Sequence, residues 1–225
     1  ANRTKTRFLA NMSHDIRTPI NGIMGMLDIA EDNFDNKARV RDCMTKMRGA
    51  ASHLLSLIND VLDMSKIESN SFVVEAKPFN LARTLVEVDD IVRIQAEQSG
   101  LRLYTDHDDV RDADLLGSAL YLKKILVNLY SNAIKYNKDN GSIDLTCREV
   151  RSDGKTAWIE FICADTGIGM SEEFQKHLYE PFTQEHSDAR TSYNGTGLGM
   201  AITKSLVEKI CLLYTSPSPR DRQKS

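Results

Sequence analysis

The chain has 225 residues, 41% of them hydrophobic, and a net charge of −3 from 29 basic and 32 acidic side chains. That length suits one large or two small domains, and the acidic balance disfavours a nucleic-acid-binding surface. Four scattered cysteines form neither a metal motif nor a disulfide framework, and there is no membrane-length apolar run or signal-peptide core. We expect a cytoplasmic, reducing setting for this piece of a longer protein, whose parent could still be anchored in the inner membrane.

The first predicted element is an amphipathic helix that carries a histidine on its polar side. Its apolar residues recur at three- and four-residue steps, at Phe8, Met12, Ile16, Ile20, Ile23 and Leu27. At about 100° per residue, His14 points roughly 170° away from this stripe and therefore faces solvent. Pro19 is predicted to bend the helix just after the histidine, because proline removes a helical hydrogen bond.

The second predicted helix has a heptad pattern of apolar residues. They stand at Val40, Met44, Met47, Ala51, Leu54, Ile58 and Val61, with Leu55 and Leu62 beside them. A turn-like segment at 32–36 joins the two helices into a predicted hairpin. A single hairpin buries too little apolar surface, so we expect two copies to pair as a four-helix bundle in a homodimer. From this segment alone, an ordinary helical bundle with one exposed histidine is the simpler interpretation.

From about residue 71 the pattern changes to mixed α and β. Strands are predicted at 72–75, 101–104, 142–147 and 158–163, with a chain break at Pro78 and a turn at 152–154. Helices are predicted at 81–98, ending by Gly100, at 120–136 and at 200–207. This order predicts a sheet covered by helices.

The predicted helix at 120–136 places two amides and an ammonium on one face. Asn128 and Asn132 are four residues apart, and Lys135 follows three residues later. An amide oxygen suits Mg²⁺, which takes its other ligands from waters and phosphates, and a lysine offers a point charge to a phosphate. Asparagines that merely face water fit the same spacing.

Two glycine-rich strings follow. Asp165 ends a buried strand, and Gly167 and Gly169 let the backbone turn tightly beside a flat ligand, although a plain Asp-x-Gly turn fits this string too. The second string, residues 195–199, precedes a helix whose N-terminus can offer free N–H groups to an anion. We therefore expect phosphates at the start of that helix.

The strings at 11–19, 128–135, 165–169 and 195–199 occur in an order that is far more specific than any one of them. Together they resemble the kinase core of a sensor histidine kinase over roughly residues 2–210. The resemblance implies an α+β fold, in which an N-terminal helical hairpin, a four-helix bundle in the dimer, precedes an α/β sandwich shared with gyrase, Hsp90 and mismatch-repair ATPases. It implies a dimerisation and histidine phosphoacceptor domain at 1–69 and a catalytic ATP-binding domain at 70–210.

The resemblance also implies an activity. The chain would be an ATP-dependent protein histidine kinase that phosphorylates itself and passes the phosphoryl group to an aspartate of a response-regulator receiver domain. His14 would be the nucleophile, Asp15 would orient and deprotonate it, and Thr18 would assist the reverse phosphatase reaction. The string Asp-Ile-Arg-Thr-Pro and a long segment at 185–193 look most like hybrid kinases, in which the receiver is fused to the kinase.

The implied cofactors are ATP and Mg²⁺. Asn132 would hold the metal, and Asp165 would accept a hydrogen bond from the adenine amino group. Residues 170–194 resemble the ATP lid of this family, with Phe182 as its F-box aromatic residue and Arg190 as a phosphate contact. The implied nucleotide residues are Asn128, Asn132, Lys135, Tyr136, Asp165, Gly167, Gly169, Phe182, Arg190, Gly195, Thr196, Gly197, Leu198 and Gly199.

After Ile210 the chain departs from the family pattern. A Gly-Gly turn and further sandwich strands are expected there, yet residues 211–221 read CLLYTSPSPRD, which resembles a translated sequencing adapter. We therefore expect an ATP-binding domain that lacks its last strands and exposes a sheet edge. Residues 211–225 are predicted to be an artefactual, disordered tail.

Two other functions stay open from the sequence. One is a catalytically inert dimeric fragment, or a phosphatase or scaffold for a response regulator. The other is a gyrase- or Hsp90-like ATPase, which would keep the nucleotide strings but has no use for His-Asp-x-Arg-Thr-Pro on an exposed helix face. We rank that ATPase last.

Overall fold

The computed structural model describes residues 2–68, 76–110, 114–153, 156–185 and 197–210, with side chains given from Met12 onward. The chain divides into two compact units, residues 1–71 and 72–225. The first unit contains helices α1 (Asn2–Asp32) and α2 (Lys37–Glu68). The elements of the second unit are β1 (Lys77–Asn80), α3 (Leu81–Gln98), β2 (Arg102–Asp109), β3 (Asp114–Gly117), α4 (Ala119–Lys135), β4 (Ser142–Ser152), β5 (Ala157–Asp165), α5 (Glu172–His177) and α6 (Gly199–Lys209).

The first unit is the predicted helical hairpin. A turn at 33–35 separates the helices, and the Asn36 backbone N–H donates to the Asn33 carbonyl at 2.9 Å. The Asn36 side chain then accepts from the Arg39 N–H at 3.1 Å, which satisfies one of the free donors at the start of α2. Helix α1 continues through Pro19, which is buried.

The hairpin has two apolar seams, and the predicted stripes contain parts of both. Inside the hairpin, Met12 and Pro19 of α1 and Cys43, Leu57 and Ile67 of α2 are buried. A second set stays at least 39% exposed: Ile20, Met24, Leu27, Met44, Leu55, Ile58 and Leu62. The prediction of one face per helix was therefore wrong in detail, because each helix has apolar residues on two adjacent faces and one partner helix covers only one of them.

In the second unit two helices pack on a three-stranded sheet. The strand order is β2-β4-β5, with β2 parallel to β4 and β5 antiparallel to it, and a separate two-stranded sheet pairs β1 with β3. Inward residues of α3, α4 and β4 form the core: Leu81, Leu85, Val88, Val92, Leu122, Leu126, Tyr130, Ile143, Leu145 and Cys147. The core thus fixes α4 against the sheet, and α4 carries the two predicted asparagines.

Several elements differ from their predicted bounds. The predicted strand at 72–75 lies outside the described residues, and the strand observed is β1, which contains Pro78. The prediction that Pro78 breaks the chain was wrong, because among the described strands β1 pairs only with β3, and proline is tolerated in such an edge strand. Strand β2 extends to Asp109, and β3 and α5 were not predicted. The second half of β2 contains three exposed acidic residues, at 106, 108 and 109, which lower its apparent strand propensity.

Two expectations from the sequence concern the cysteines and membrane-spanning segments. Cys43, Cys147 and Cys163 are free thiols, and burial raises the pKa of the Cys147 thiol to about 12, so this side chain belongs to the core and is not a nucleophile. Among the described helices, none combines the length and hydrophobicity that crossing a bilayer requires.

A buried asparagine joins three elements where α4 ends. Asn137 donates through Nδ2 to the carbonyls of Ala133 and Ser142, each at 3.1 Å, and its Oδ1 accepts from the Thr166 hydroxyl at 3.0 Å. Gly141 lies against this junction, where an added Cβ would stand 2.1 Å from Asn137 Oδ1 and 2.9 Å from the Lys138 carbonyl oxygen. The junction fixes the end of α4 relative to the start of β4 and the loop after β5.

We predict that Gly141→Ala destabilises the second unit. The methyl group has no room beside a buried, fully bonded amide, so the loss should be on the order of 1–3 kcal/mol. Thermal unfolding followed by circular dichroism measures it. Gly49→Ala is the control, since Gly49 lies in α2 with nothing within 4 Å and should gain about 0.5–1 kcal/mol in helix stability. Equal melting temperatures for the Gly141→Ala variant and the parent chain would contradict the close packing of Gly141 against Asn137.

Candidate nucleotide site and phosphoacceptor histidine

His14 stands on the solvent face of α1. Its side chain is 81% exposed, as the helical spacing predicts, and its Nδ1 lies 3.1 Å from Oδ1 of Asp15. A carboxylate oxygen accepts a hydrogen bond, so this contact favours a proton on Nδ1 and leaves the lone pair of Nε2 directed to solvent. The arrangement can present an uncharged imidazole nitrogen to an electrophile.

Thr18 lies one helical turn after His14 and is also exposed. Its hydroxyl donates to the His14 carbonyl oxygen at 3.2 Å. The next residue, Pro19, has no N–H to give to the carbonyl of Asp15, which is four residues earlier. The polar face around the histidine therefore combines a hydroxyl with a helical carbonyl that lacks its usual donor.

Asn128 connects α4 to the first turn of α6. Its Nδ2 donates to the Thr203 hydroxyl at 2.8 Å. A Cβ on Gly199 would lie 2.3 Å from Asn128 Oδ1, so only glycine lets the asparagine approach the start of α6. Two strings that are about seventy residues apart in the chain thus meet in contact.

Asn132 and Lys135 continue the same helix face. The Asn132 side chain is half-buried, and within the described part of the chain its amide has no hydrogen-bond partner. The Lys135 ammonium lies 3.1 Å from the Tyr136 hydroxyl and 4.7 Å from the centre of that ring. The amide oxygen of Asn132 is a ligand type that Mg²⁺ accepts, and Tyr136 holds the lysine beside it.

The loop after β5 packs against the end of α4. Asp165 is exposed, and its Oδ1 accepts from the Gly167 N–H at 2.8 Å. A Cβ on Gly167 would lie 2.4 Å from the Tyr136 carbonyl oxygen, which also accepts from the Ile168 N–H at 3.0 Å. Gly169 has a φ of 73°, which glycine adopts without strain. The hydrogen bond from Gly167 uses one Asp165 oxygen, and the other oxygen has no partner among the described residues.

The last glycine string begins α6 and contacts Phe182. The Phe182 N–H donates to the Gly197 carbonyl oxygen at 3.0 Å. Leu198 is fully buried and precedes α6, and in the described part of the chain no side chain caps the N-terminus of this helix. The described residues therefore leave the first N–H groups of α6 to an anion.

The described residues of the nucleotide set lie in the second unit, where three strings converge on α4. Arg190, Gly195 and Thr196 lie outside the described residues. Three residues that hold the site together through hydrogen bonds were not predicted: Thr203, Asn137 and Thr166. The spacing of Thr203 four residues after Gly199 was the available signal, since it places both on one face of a helix.

Two family models match the chain. The model for the His Kinase A (phospho-acceptor) domain matches residues 4–70, and the model for the histidine kinase-, DNA gyrase B- and HSP90-like ATPase matches residues 117–219. The first match contains His14, and the second begins just before α4 and includes all the nucleotide strings.

Curated relatives and a solved structure agree with these matches. The chain is 37% identical over 211 residues to the signal transduction histidine-protein kinase BarA of Escherichia coli, which covers 93% of this chain and 23% of the relative. It is 33% identical to the autoinducer 2 sensor kinase/phosphatase LuxQ of Vibrio parahaemolyticus, over 92% of this chain and 24% of the relative. The structure of full-length ShkA with AMPPNP aligns with a TM-score of 0.63 at 27% identity, over 90% of this chain and 41% of that one. The chain spans about a quarter of the length of these curated relatives.

Proposed function

Because this chain is a two-component histidine kinase core with a phosphoacceptor domain and an ATPase-type domain, we propose that it phosphorylates its own His14 from ATP and passes the phosphoryl group to an aspartate of a receiver domain. The phosphoacceptor domain is assigned to residues 1–69 and the ATP-binding domain to residues 70–210. The observation that carries the proposal is the contact of three nucleotide strings around α4, in a chain whose other unit presents an exposed histidine beside a carboxylate.

The proposed chemistry at His14 is a nucleophilic displacement. Asp15 accepts a hydrogen bond from the Nδ1–H, so that Nε2 keeps its lone pair and attacks the γ-phosphorus of ATP, and the Nδ1 proton passes to Asp15 as the new bond forms. A bond forms between Nε2 and phosphorus, and the bond from that phosphorus to the bridging oxygen breaks, with ADP as the leaving group. An aspartate carboxylate of the receiver then displaces the histidine from phosphorus. Phosphoryl transfer needs mainly positioning and charge neutralisation.

Adenine is assigned to the loop after β5 and the phosphates to the N-terminus of α6, and both segments contact α4 or the residue that follows it. Asp165 is proposed to accept a hydrogen bond from the adenine amino group through the oxygen that Gly167 does not use. The phosphates are assigned to the N-terminus of α6, beside Asn128 and Lys135, with Arg190, Gly195 and Thr196 as further contacts from the sequence resemblance. The C-terminal half of α4 and the start of α6 would both contribute to this site.

The site fits a magnesium ion at Asn132. Its amide is half-buried, and no described side chain competes for its oxygen, which is a hard ligand of the kind Mg²⁺ takes alongside phosphate oxygens and water. A bound Mg²⁺ would neutralise charge on the phosphates. Asn132 would hold it in place, and Asn128, which is committed to Thr203, would position α6.

A second activity is supported by Thr18. Its exposed hydroxyl sits one turn from His14 on the same face, where it can hold a water or a phosphorylated carboxylate of a partner. LuxQ, a relative, is described as a sensor kinase/phosphatase. We propose that Thr18 assists dephosphorylation of a receiver aspartate, and that the receiver is fused to the kinase in the parent protein.

The proposed oligomer is a homodimer through the hairpin. Seven exposed apolar residues of α1 and α2 recur at helical spacing, so that in each helix they share one face. An apolar stripe of this kind is the a/d-type surface that four-helix bundles bury. Two copies of this chain would cover the seam for each other.

The phosphoacceptor assignment predicts that His14→Gln abolishes labelling of the chain by γ-labelled ATP in the presence of Mg²⁺. Nucleotide binding should stay as in the parent chain, because the ATP strings lie in the other unit. Acid-labile label measured on a gel reports phosphohistidine. His53→Gln on α2 is the matched control and should keep the label. Label that persists in His14→Gln would assign the phosphoacceptor to another residue.

The division of roles at the nucleotide predicts two different losses. Asn132→Asp adds a negative charge beside the phosphates, so it should weaken ATP binding in a way that depends on the Mg²⁺ concentration. Asp165→Asn presents a donor to the adenine amino group and should weaken ATP and adenosine alike, by about tenfold for one lost hydrogen bond to a charged group. Calorimetric titrations at several Mg²⁺ concentrations separate the two. The same Mg²⁺ dependence in both variants would refute this division.

The dimer predicts that Ile58→Glu weakens self-association at least about a hundredfold, since each subunit loses the burial of a large apolar side chain. Ser56→Glu is the control, because this substitution adds the same charge at an exposed position on the opposite side of α2. Sedimentation velocity over a concentration series gives the dissociation constants. A parent chain that stays monomeric at high concentration would contradict the homodimer.

A further inference from the structure

Phe182 has a backbone conformation that phenylalanine rarely adopts. Its φ is 65°, in the left-handed region, and Asn140 in a turn is the other residue besides glycine with a positive φ in the described chain. For a side chain of this size the conformation is strained. Such strain persists only where the surroundings hold the residue in place, and it is common at functional sites.

The chain before and after Phe182 is anchored on both sides. The Glu185 carboxylate accepts from the Ser171 N–H at 2.8 Å, and the Thr183 N–H donates to the Glu180 carbonyl at 3.3 Å. The Lys204 ammonium of α6 lies 5.4 Å from the centre of the Tyr179 ring. These contacts hold residues 171–185 in one arrangement next to α6.

Within this arrangement Phe182 and Gly197 form a backbone clamp. The Phe182 N–H donates to the Gly197 carbonyl at 3.0 Å, and a Cβ on Gly197 would lie 2.8 Å from both Cα and the carbonyl carbon of Phe182. Gly197 itself has a φ of 65°. Both residues of the clamp therefore have left-handed backbone conformations. The Phe182 backbone leaves no room for a side chain on Gly197.

The clamp sits directly at the start of the proposed phosphate-binding turn. Gly197 is followed by the buried Leu198 and by Gly199, which Asn128 contacts from the other side. The turn is thus held between the Phe182 backbone and the Asn128 side chain. A release of either contact would let the first N–H groups of α6 change direction.

We propose that Phe182 is a positioning residue for the phosphates of ATP and that it acts through its left-handed backbone and its N–H, in addition to any contact of its ring. This inference rests on the proposed function of the site. A variant that disfavours the left-handed conformation opens the clamp locally, because a short half-exposed segment rearranges at lower cost than the whole domain unfolds.

The test compares Phe182→Gly with Phe182→Ala in the full chain. Both variants lack the ring, and glycine adopts the left-handed conformation freely whereas alanine does not. We expect Phe182→Gly to bind Mg-ATP about five- to thirtyfold more tightly than Phe182→Ala, from the cost of that conformation. Their affinities for adenosine should be equal, since the clamp does not touch Asp165. Titration calorimetry measures ATP binding, and nuclear magnetic resonance shifts measure adenosine binding.

Two more variants keep the test decisive. Gly197→Ala should lose ATP affinity as Phe182→Ala does, because its methyl group strikes the Phe182 backbone. If Phe182→Ala does not fold, Phe182→Asn against Phe182→Leu makes the same comparison, since asparagine tolerates the left-handed region and leucine of similar size does not.

Equal ATP affinities for the glycine and alanine variants would overturn the inference while the parent chain still binds ATP. A matching difference for adenosine would also overturn it, because a general loss of structure would affect both ligands. A parent chain that binds neither ATP nor adenosine would refute the proposed function itself, and the inference with it.

Discussion

The candidate nucleotide site depends on close backbone approach at α4 and α6. Gly167 lies against the Tyr136 carbonyl, Gly199 against the Asn128 side chain and Gly197 against Phe182, each at a distance that excludes a Cβ. Glycine is needed at these positions because the neighbouring chain occupies the space of a side chain. Three strings that are far apart in the sequence form one site only because their glycines permit these contacts.

The helices around that site are fixed by the core and by one polar junction. The apolar faces of α3 and α4 pack on β4, which sets the position of α4, and Asn137 then ties its end to Ser142 and Thr166. The buried Asn137 side chain makes four hydrogen bonds, and leaving its amide unbonded would cost more than those bonds contribute net. The loop that carries Asp165 is therefore held in register with α4 by satisfied hydrogen bonds as well as by apolar packing.

The hairpin differs from the second unit, because it leaves part of its apolar surface exposed. Cys43 and Leu57 are covered within one chain, whereas Met24 and Leu55 are more than half exposed. A two-helix unit has too little interior to cover two apolar seams. The same geometry leaves the His14 side chain 81% exposed, on the side of α1 away from the buried seam.

Most helices can be predicted from local sequence pattern. Helix periodicity predicts α3 and α4 almost to the residue and places His14 on the solvent face, because these features depend on neighbours within one helix. Local pattern does not predict which of two apolar seams the hairpin buries, that Pro78 lies in an edge strand, or that Phe182 adopts a positive φ. Each of these depends on contacts between residues distant in the chain, and local pattern contains no information about which partner fills a given space.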